Sequence, residues 1–159
     1  SLGRNHSAPL HQCGIIGNTV NLPRIVLDTN VLVSALRSRR GASFRVLGAV
    51  GRGRFEHVVT VPLVLEYEDV LQRPGVVPIS ATAAGDVIDY LCAAGIRQNV
   101  HFLWRPKLPD VKDDMVLEAA VNGACSHIVT HNLRDFEPAR SMRITPIAPG
   151  RFLDLIEET

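Results

Sequence analysis

Residues 24–36 read RIVLDTNVLVSAL and place an acid at the end of an apolar run. Ile25, Val26 and Leu27 form the continuous run expected of a strand buried on both faces of a parallel sheet. Asp28 stands where that strand should stop, and a helix opens near Val31. Two readings of Asp28 follow. In one it caps the helix, accepting hydrogen bonds from the free N–H groups of the first turn. In the other it faces the crevice at the carboxyl ends of the strands, where open α/β sheets gather their ligands. The choice depends on where the other acids fall.

Working outward, residues 41–52 carry Phe44, Leu47 and Val50 at helical spacing broken by glycines, which predicts a second helix. HVVTV (57–61) predicts a second strand, followed by a helix to about Gln72 with Pro62 in its first position, where the missing N–H costs nothing. RPGVVP (73–78) is a loop, and residues 80–94 form a helix with Ser80 as its cap. NVHFL (99–103) is read as the third strand, RPKLPDVKDD (105–114) as a polar loop, and MVLEAAVNGA as a helix with Asp113 or Asp114 at its start and Gly123 near its end. SHIVT (126–130) is the fourth strand, MRITPI (142–147) a fifth, and GRFLDLIEE the closing helix. Strands alternating with helices imply a three-layer α/β/α domain around a mainly parallel sheet of four to five strands.

The 159-residue chain suits one domain with a core that needs no disulfide or structural metal. That domain is expected over residues 23–159. Residues 1–22 lack any hydrophobic period and are expected to be a tail, or a remnant of processing or expression, outside the core; the alternative is an arm that docks on a partner chain. The opening lacks the basic and long apolar regions of a secretory signal, and no run reaches the roughly eighteen apolar residues that cross a bilayer. Cys13, Cys92 and Cys125 are odd in number and widely spaced, which favours a reducing compartment, the cytoplasm, over a disulfide framework. The six histidines include no HExxH pair, so carboxylates must carry any metal. A net charge of +1 leaves nucleic-acid binding to a local patch.

In a parallel sheet the ends of the first and fourth strands share one edge with the starts of the helices that follow. Asp28 ends the first strand, Asp113 and Asp114 open the helix before the fourth, and Asp135 follows it in THNLRDF. In PLVLEYEDVLQ the stripe Leu63, Tyr67, Val70 and Leu71 faces the core, leaving Glu66 at its edge and Asp69 well outside. Each acid alone also reads as a cap, a turn residue or a solvated helix residue. Together they would repel one another, which calls for raised pKa values or a hard divalent cation with oxygen ligands, Mg²⁺ or Mn²⁺.

LDTNVLVSAL, LEYEDVLQRP, DVKDDMVLEAA and IVTHNLRDF together resemble a PIN domain, the VapC-like endoribonuclease family of bacterial toxin–antitoxin systems, from Arg24 to Glu158. The resemblance implies that Asp28, Glu66 and Asp114 bind metal, with Asp135 near the fourth acidic position and Asp110 and Asp113 as neighbours acting through water. Thr29, Asn30 and Thr130 match the polar residues that support such a site. Asn132 departs from the pattern, since many members carry Asp there. The implied reaction is metal-dependent hydrolysis of RNA phosphodiesters, leaving 5′-phosphate and 3′-hydroxyl ends. Arg37, Arg39 and Arg40, with Arg52 and Arg54, are the cations expected to draw RNA.

The resemblance also implies a small antitoxin over the acidic groove, placing an Arg between the carboxylates, and a homodimer through the helices at 41–50 and 80–94. A haloacid-dehalogenase-type phosphatase needs an acid two residues after the first, where this chain has Asn30. A catalytically inactive PIN-like scaffold that binds RNA or an antitoxin is the rival class.

Overall fold

The computed structural model describes residues 21–101 and 110–158. Strands β1 (Arg24–Leu27), β2 (Glu56–Val59), β3 (Ile96–Arg97), β4 (His127–Val129) and β5 (Thr145–Ile147) form one sheet in the order β3-β2-β1-β4-β5. Every pairing is parallel, with Ile25 of β1 registered against His57 on one side and His127 on the other. The apolar run takes the central position it predicts, and Ile25, Val26 and Leu27 are at most 1% exposed. Helices α1 (Thr29–Arg37), α2 (Ala42–Gly48), α3 (Val61–Leu71), α4 (Ala81–Ala94), α5 (Val111–Asn122) and α6 (Pro149–Glu157) flank the sheet in a three-layer α/β/α arrangement. A 3₁₀ stretch, Arg134–Met142, connects β4 to β5.

The third strand differs from the expectation. Residues 99–101 are not extended in the sheet, and Phe102 and Leu103 lie outside the described residues. The strand is instead Ile96–Arg97, directly after Gly95 ends α4, and the Gln98 N–H extends the pairing to the Val59 carbonyl at 2.9 Å. Two residues are too few to show an alternation, so pairing with β2 defines this strand.

Helix starts also shift. Thr60 caps α3 by accepting from the Leu63 N–H at 3.3 Å, so Val61 precedes Pro62 within the turn whose N–H groups have no helical partner. Ser80 caps α4 as expected, at 3.0 Å from the Ala83 nitrogen. Asp110, not Asp113 or Asp114, caps α5, accepting from the Lys112 N–H at 2.9 Å. At the other end of α5, a Cβ on Gly123 would stand 2.8 Å from both Val58 methyls, so only glycine lets the helix end pass over β2.

The order of the strands turns over at β1. The chain goes from β1 to β2 and β3 on one side, then crosses to β4 and β5 on the other. The carboxyl ends of β1 and β4 therefore part around a crevice at the switch point, the place where open α/β sheets bind ligands. Cys92 and Cys125 are free thiols. Among the described residues no helix is long and apolar enough to cross a membrane.

Candidate active site

A cleft of about 230 Å³ opens at this switch point, lined by carboxylates from three elements: Asp28, Glu66, and Asp110 with Asp113. Asp28 ends β1 and has the backbone of a helix N-cap, yet its side chain makes no capping hydrogen bond. Its Oδ2 instead accepts from Thr130 Oγ1, at the end of β4, at 2.7 Å. The two strands that flank the crevice are thus joined across it by a side-chain bond. Burial pushes the Asp28 carboxyl above its ordinary pKa, partly offset by the Thr130 hydroxyl, the backbone N–H groups of Thr29 and Asn30, and the charge of His131.

Glu66 reaches the cleft because Leu63, Tyr67 and Leu71 are buried against the sheet while Val70 lines the cleft beside it. Tyr67 fixes this register: its buried hydroxyl donates to the Leu27 carbonyl at 2.5 Å, the last residue before Asp28. Burial raises the pKa of Glu66, with Lys112 pulling the other way and Asp69 adding to the rise.

Of the two acids that open α5, Asp113 lines the cleft and Asp114 does not, although both are buried. The resemblance implied Asp114 for the third acidic position, and it is Asp113, its neighbour, that stands on the cleft wall. The cause is the cap. With Asp110 as N-cap, Asp110 and Asp113 lie three apart on the side facing the cleft, and Asp114 is turned about 100° further round. Asp113 carries the largest perturbation of the site: burial first, then the charges of Asp28, Asp110, Asp135 and Asp114, push its pKa up to about 7.

Asp135 is half-buried in the first turn of the 3₁₀ stretch and is not among the cleft-lining residues, though its charge reaches Asp113. Asn132 does line the cleft, as do Thr29 and Asn30. The Asn132 N–H donates to Thr130 Oγ1 at 2.9 Å, and Asn30 Oδ1 accepts from the His131 N–H at 3.4 Å.

The arginines do not join this group. None lines the cleft among the described residues. Arg37 ends the nine-residue α1, about 12 Å along the helix from Thr29, and its Nε donates to the Val76 carbonyl at 2.8 Å. Arg39 and Arg40 follow it, exposed. Arg52 and Arg54 precede β2, at the amino end of the sheet, and bond the carbonyls of Gly48 and Ile156. Among the described residues the cation at the cleft is Lys112, which sequence reasoning missed; its signal was its place inside DVKDD, one residue before the acidic pair.

The donors are all oxygen, which suits a hard divalent ion. In their present rotamers, among the described residues, no three His, Cys, Asp or Glu side chains stand close enough to enclose one. Burial and then the neighbouring carboxylates disfavour the charged form of Asp113, and a divalent ion among these oxygen donors would offset that cost, so the donor set fits a cation.

A family model described as "PIN domain" matches residues 24–134. No curated protein matches the sequence. Among solved structures, a chain of VapBC2 from Rickettsia felis bound to a DNA fragment from its promoter superimposes with a TM-score of 0.54 at 11% identity. The match covers 77% of this chain and 98% of that one, a likeness of fold. The matched family segment runs from the first residue of β1, through all four cleft carboxylates, to the start of the 3₁₀ stretch, so the chain belongs to the PIN domain family.

Proposed function

We propose that this PIN domain is a metal-dependent endoribonuclease that hydrolyses RNA phosphodiesters in the cytoplasm, as the toxin of a toxin–antitoxin pair. One observation carries the reading: Asp28, Glu66, Asp110 and Asp113 converge at the switch point with Lys112 as the basic residue of the cleft among the described residues. Asp28, Glu66 and Asp113 would hold Mg²⁺ or Mn²⁺. Asp114 and Asp135 add to the negative field that favours the ion. When bound, such an ion supplies an activated water and neutralises charge on the phosphate.

The chain's own residues do the rest. Thr130 fixes the orientation of Asp28 through one carboxylate oxygen. Lys112 attracts the phosphate backbone. Asn30 and Asn132 offer amides at the cleft wall, able to hydrogen-bond phosphate or sugar oxygens.

A small antitoxin would cover this cleft with a cationic side chain, the partner chemistry that an unneutralised acidic groove calls for. Support for such a partner also comes from the fold neighbour, itself solved as VapBC2. A homodimer belongs to the same reading, with Phe44 on α2 and Tyr90 on α4 among the exposed large apolar side chains.

One observation favours a second reading, a scaffold that binds without cutting: the neutral Asn132 stands at the cleft wall. Incubating the protein with RNA, with and without Mn²⁺, separates the two. Metal-dependent products with 5′-phosphate and 3′-hydroxyl ends are expected. RNA that is bound but intact at every Mn²⁺ concentration establishes the scaffold.

A further inference from the structure

We infer that Ser43 and His131 form a positioning device for Asp28, by which a buried hydroxyl on α2 sets the geometry of the site carboxylate and so its hold on a divalent cation. The inference rests on the metal-ion reading above.

Ser43 is 2% exposed, and a hydroxyl so buried needs a hydrogen-bond partner. It finds one 88 residues away: Ser43 Oγ lies 2.9 Å from His131 Nε2, a bond that either tautomer can make. His131 is exposed and does not line the cleft. Its importance comes from its place in the chain. The residue before it, Thr130, donates to Asp28 Oδ2 at 2.7 Å, and the residue after it, Asn132, donates its N–H to that same Thr130 hydroxyl at 2.9 Å. The Asn132 N–H occupies a lone pair of the Thr130 oxygen, so the hydroxyl proton is directed at Asp28.

The backbone between these two bonds is that of His131. It is held from two sides, by its own N–H on Asn30 Oδ1 and by its ring on Ser43. The ring bond is the one that ties the turn to α2. Releasing it frees the peptide that aims Asn132 at Thr130, and with it the hydroxyl that aims Asp28. Partners that orient metal ligands typically change affinity about 10- to 100-fold when removed, and a residue one bond further out should act at the lower end, about three- to tenfold.

The experiment is calorimetric titration of the full chain with Mn²⁺, with thermal melts, for the unmodified protein, Ser43→Ala, His131→Ala, His131→Gln, Ser43→Ala/His131→Ala and Asp28→Asn. Ser43→Ala and His131→Ala should each weaken Mn²⁺ about three- to tenfold in a chain that still melts cooperatively, His131→Ala at a lower temperature because it leaves the buried Ser43 hydroxyl without its partner, and the double variant should bind no more weakly than either single one. His131→Gln, whose amide can still meet Ser43, should recover most of the affinity. Unchanged Mn²⁺ affinity in both single variants, beside a loss in Asp28→Asn, overturns the inference and leaves the metal-ion reading standing. Additive losses in the double variant also overturn it. Equal binding by the unmodified protein and Asp28→Asn overturns the metal-ion reading and this inference with it. Should Ser43→Ala not fold, the exposed position of His131 lets His131→Ala and His131→Gln decide.

Discussion

At the carboxyl end of the sheet Asp28 and Asp113 are buried beside Asp110 and Glu66, and among the described residues Lys112 is the cation on the cleft wall. Four arginines away from the cleft already have partners: Arg24 bonds Glu56 and the Gly123 carbonyl, Arg52 the Gly48 carbonyl, Arg54 the Ile156 carbonyl, and Arg45 pairs with Glu157. A net charge of +1 conceals this polarity. Arg24, Arg45, Arg52 and Arg54 are engaged in the protein's own structure, while at the carboxyl end burial and neighbouring carboxylates hold Asp113 against ionisation, which a cation would relieve. Arginine count is thus a poor guide to where nucleic acid binds, because guanidinium groups that complete backbone carbonyls have fewer donors left for phosphate.

The most severe way to break the contrast is Asp28→Asn. Cleavage should fall on the order of 10²- to 10³-fold, the usual scale for losing one electrostatic contact to the transition state. The metal-free fold should survive with an equal or higher melting temperature, because one of several repelling acids is gone. Cleavage assays and circular dichroism melts decide. Unfolding, or undiminished activity, would make Asp28 a structural residue.

Asp113 offers a second test through pH. Its folded-state pKa, about 7, lies above the unfolded value, so the folded chain binds the extra proton between the two. Its contribution to stability is therefore full at low pH and is lost as pH rises toward and through 7. The metal-free protein should lose stability over this window relative to Asp113→Asn, in which that slope is absent. Denaturant melts from pH 4.5 to 8 measure it, and parallel curves for the two proteins would place the proton elsewhere.

The smallest effect separates the two ends by salt. Lys112→Ala should reduce the salt slope of RNA binding by about one phosphate contact, whereas Arg37→Ala combined with Arg40→Ala should leave it nearly unchanged. The reverse result would move the RNA path to the far end of α1.

The acidic end of this polarity was legible in the sequence, whereas Arg37, Arg52 and Arg54, read there as cations for RNA, bond the protein's own carbonyls. β1 announces itself by an unbroken apolar run, and Glu66 is placed by the spacing of Leu63, Tyr67, Val70 and Leu71, of which Val70 turns out half-buried at the cleft and the other three buried, because burial on one helix face is a local property of the chain. What could not be read depends on long-range pairing or on a single residue of register. β3 exists only through its bonds to β2. That Asp113 rather than Asp114 stands on the cleft wall follows from Asp110 taking the cap in a stretch with three candidate acids, and helix ends are uncertain by that much from sequence. The clamp of Tyr67 on the Leu27 carbonyl joins residues 40 apart, and no periodicity reports such a contact.

Pro146 in β5 has a consequence for how this molecule meets its own kind. Thr145 turns its N–H inward to the Ser126 carbonyl, so the alternation of a strand turns the ring nitrogen of Pro146 outward, where it has no hydrogen to donate. One flank of the sheet thus lacks a donor that an added strand would require. The opposite flank is β3, whose two residues are too short to template one. Among the described residues, growth of the sheet from molecule to molecule is blunted on both sides, which leaves a crowded solution of the folded chain a poor route to a continuous cross-strand aggregate.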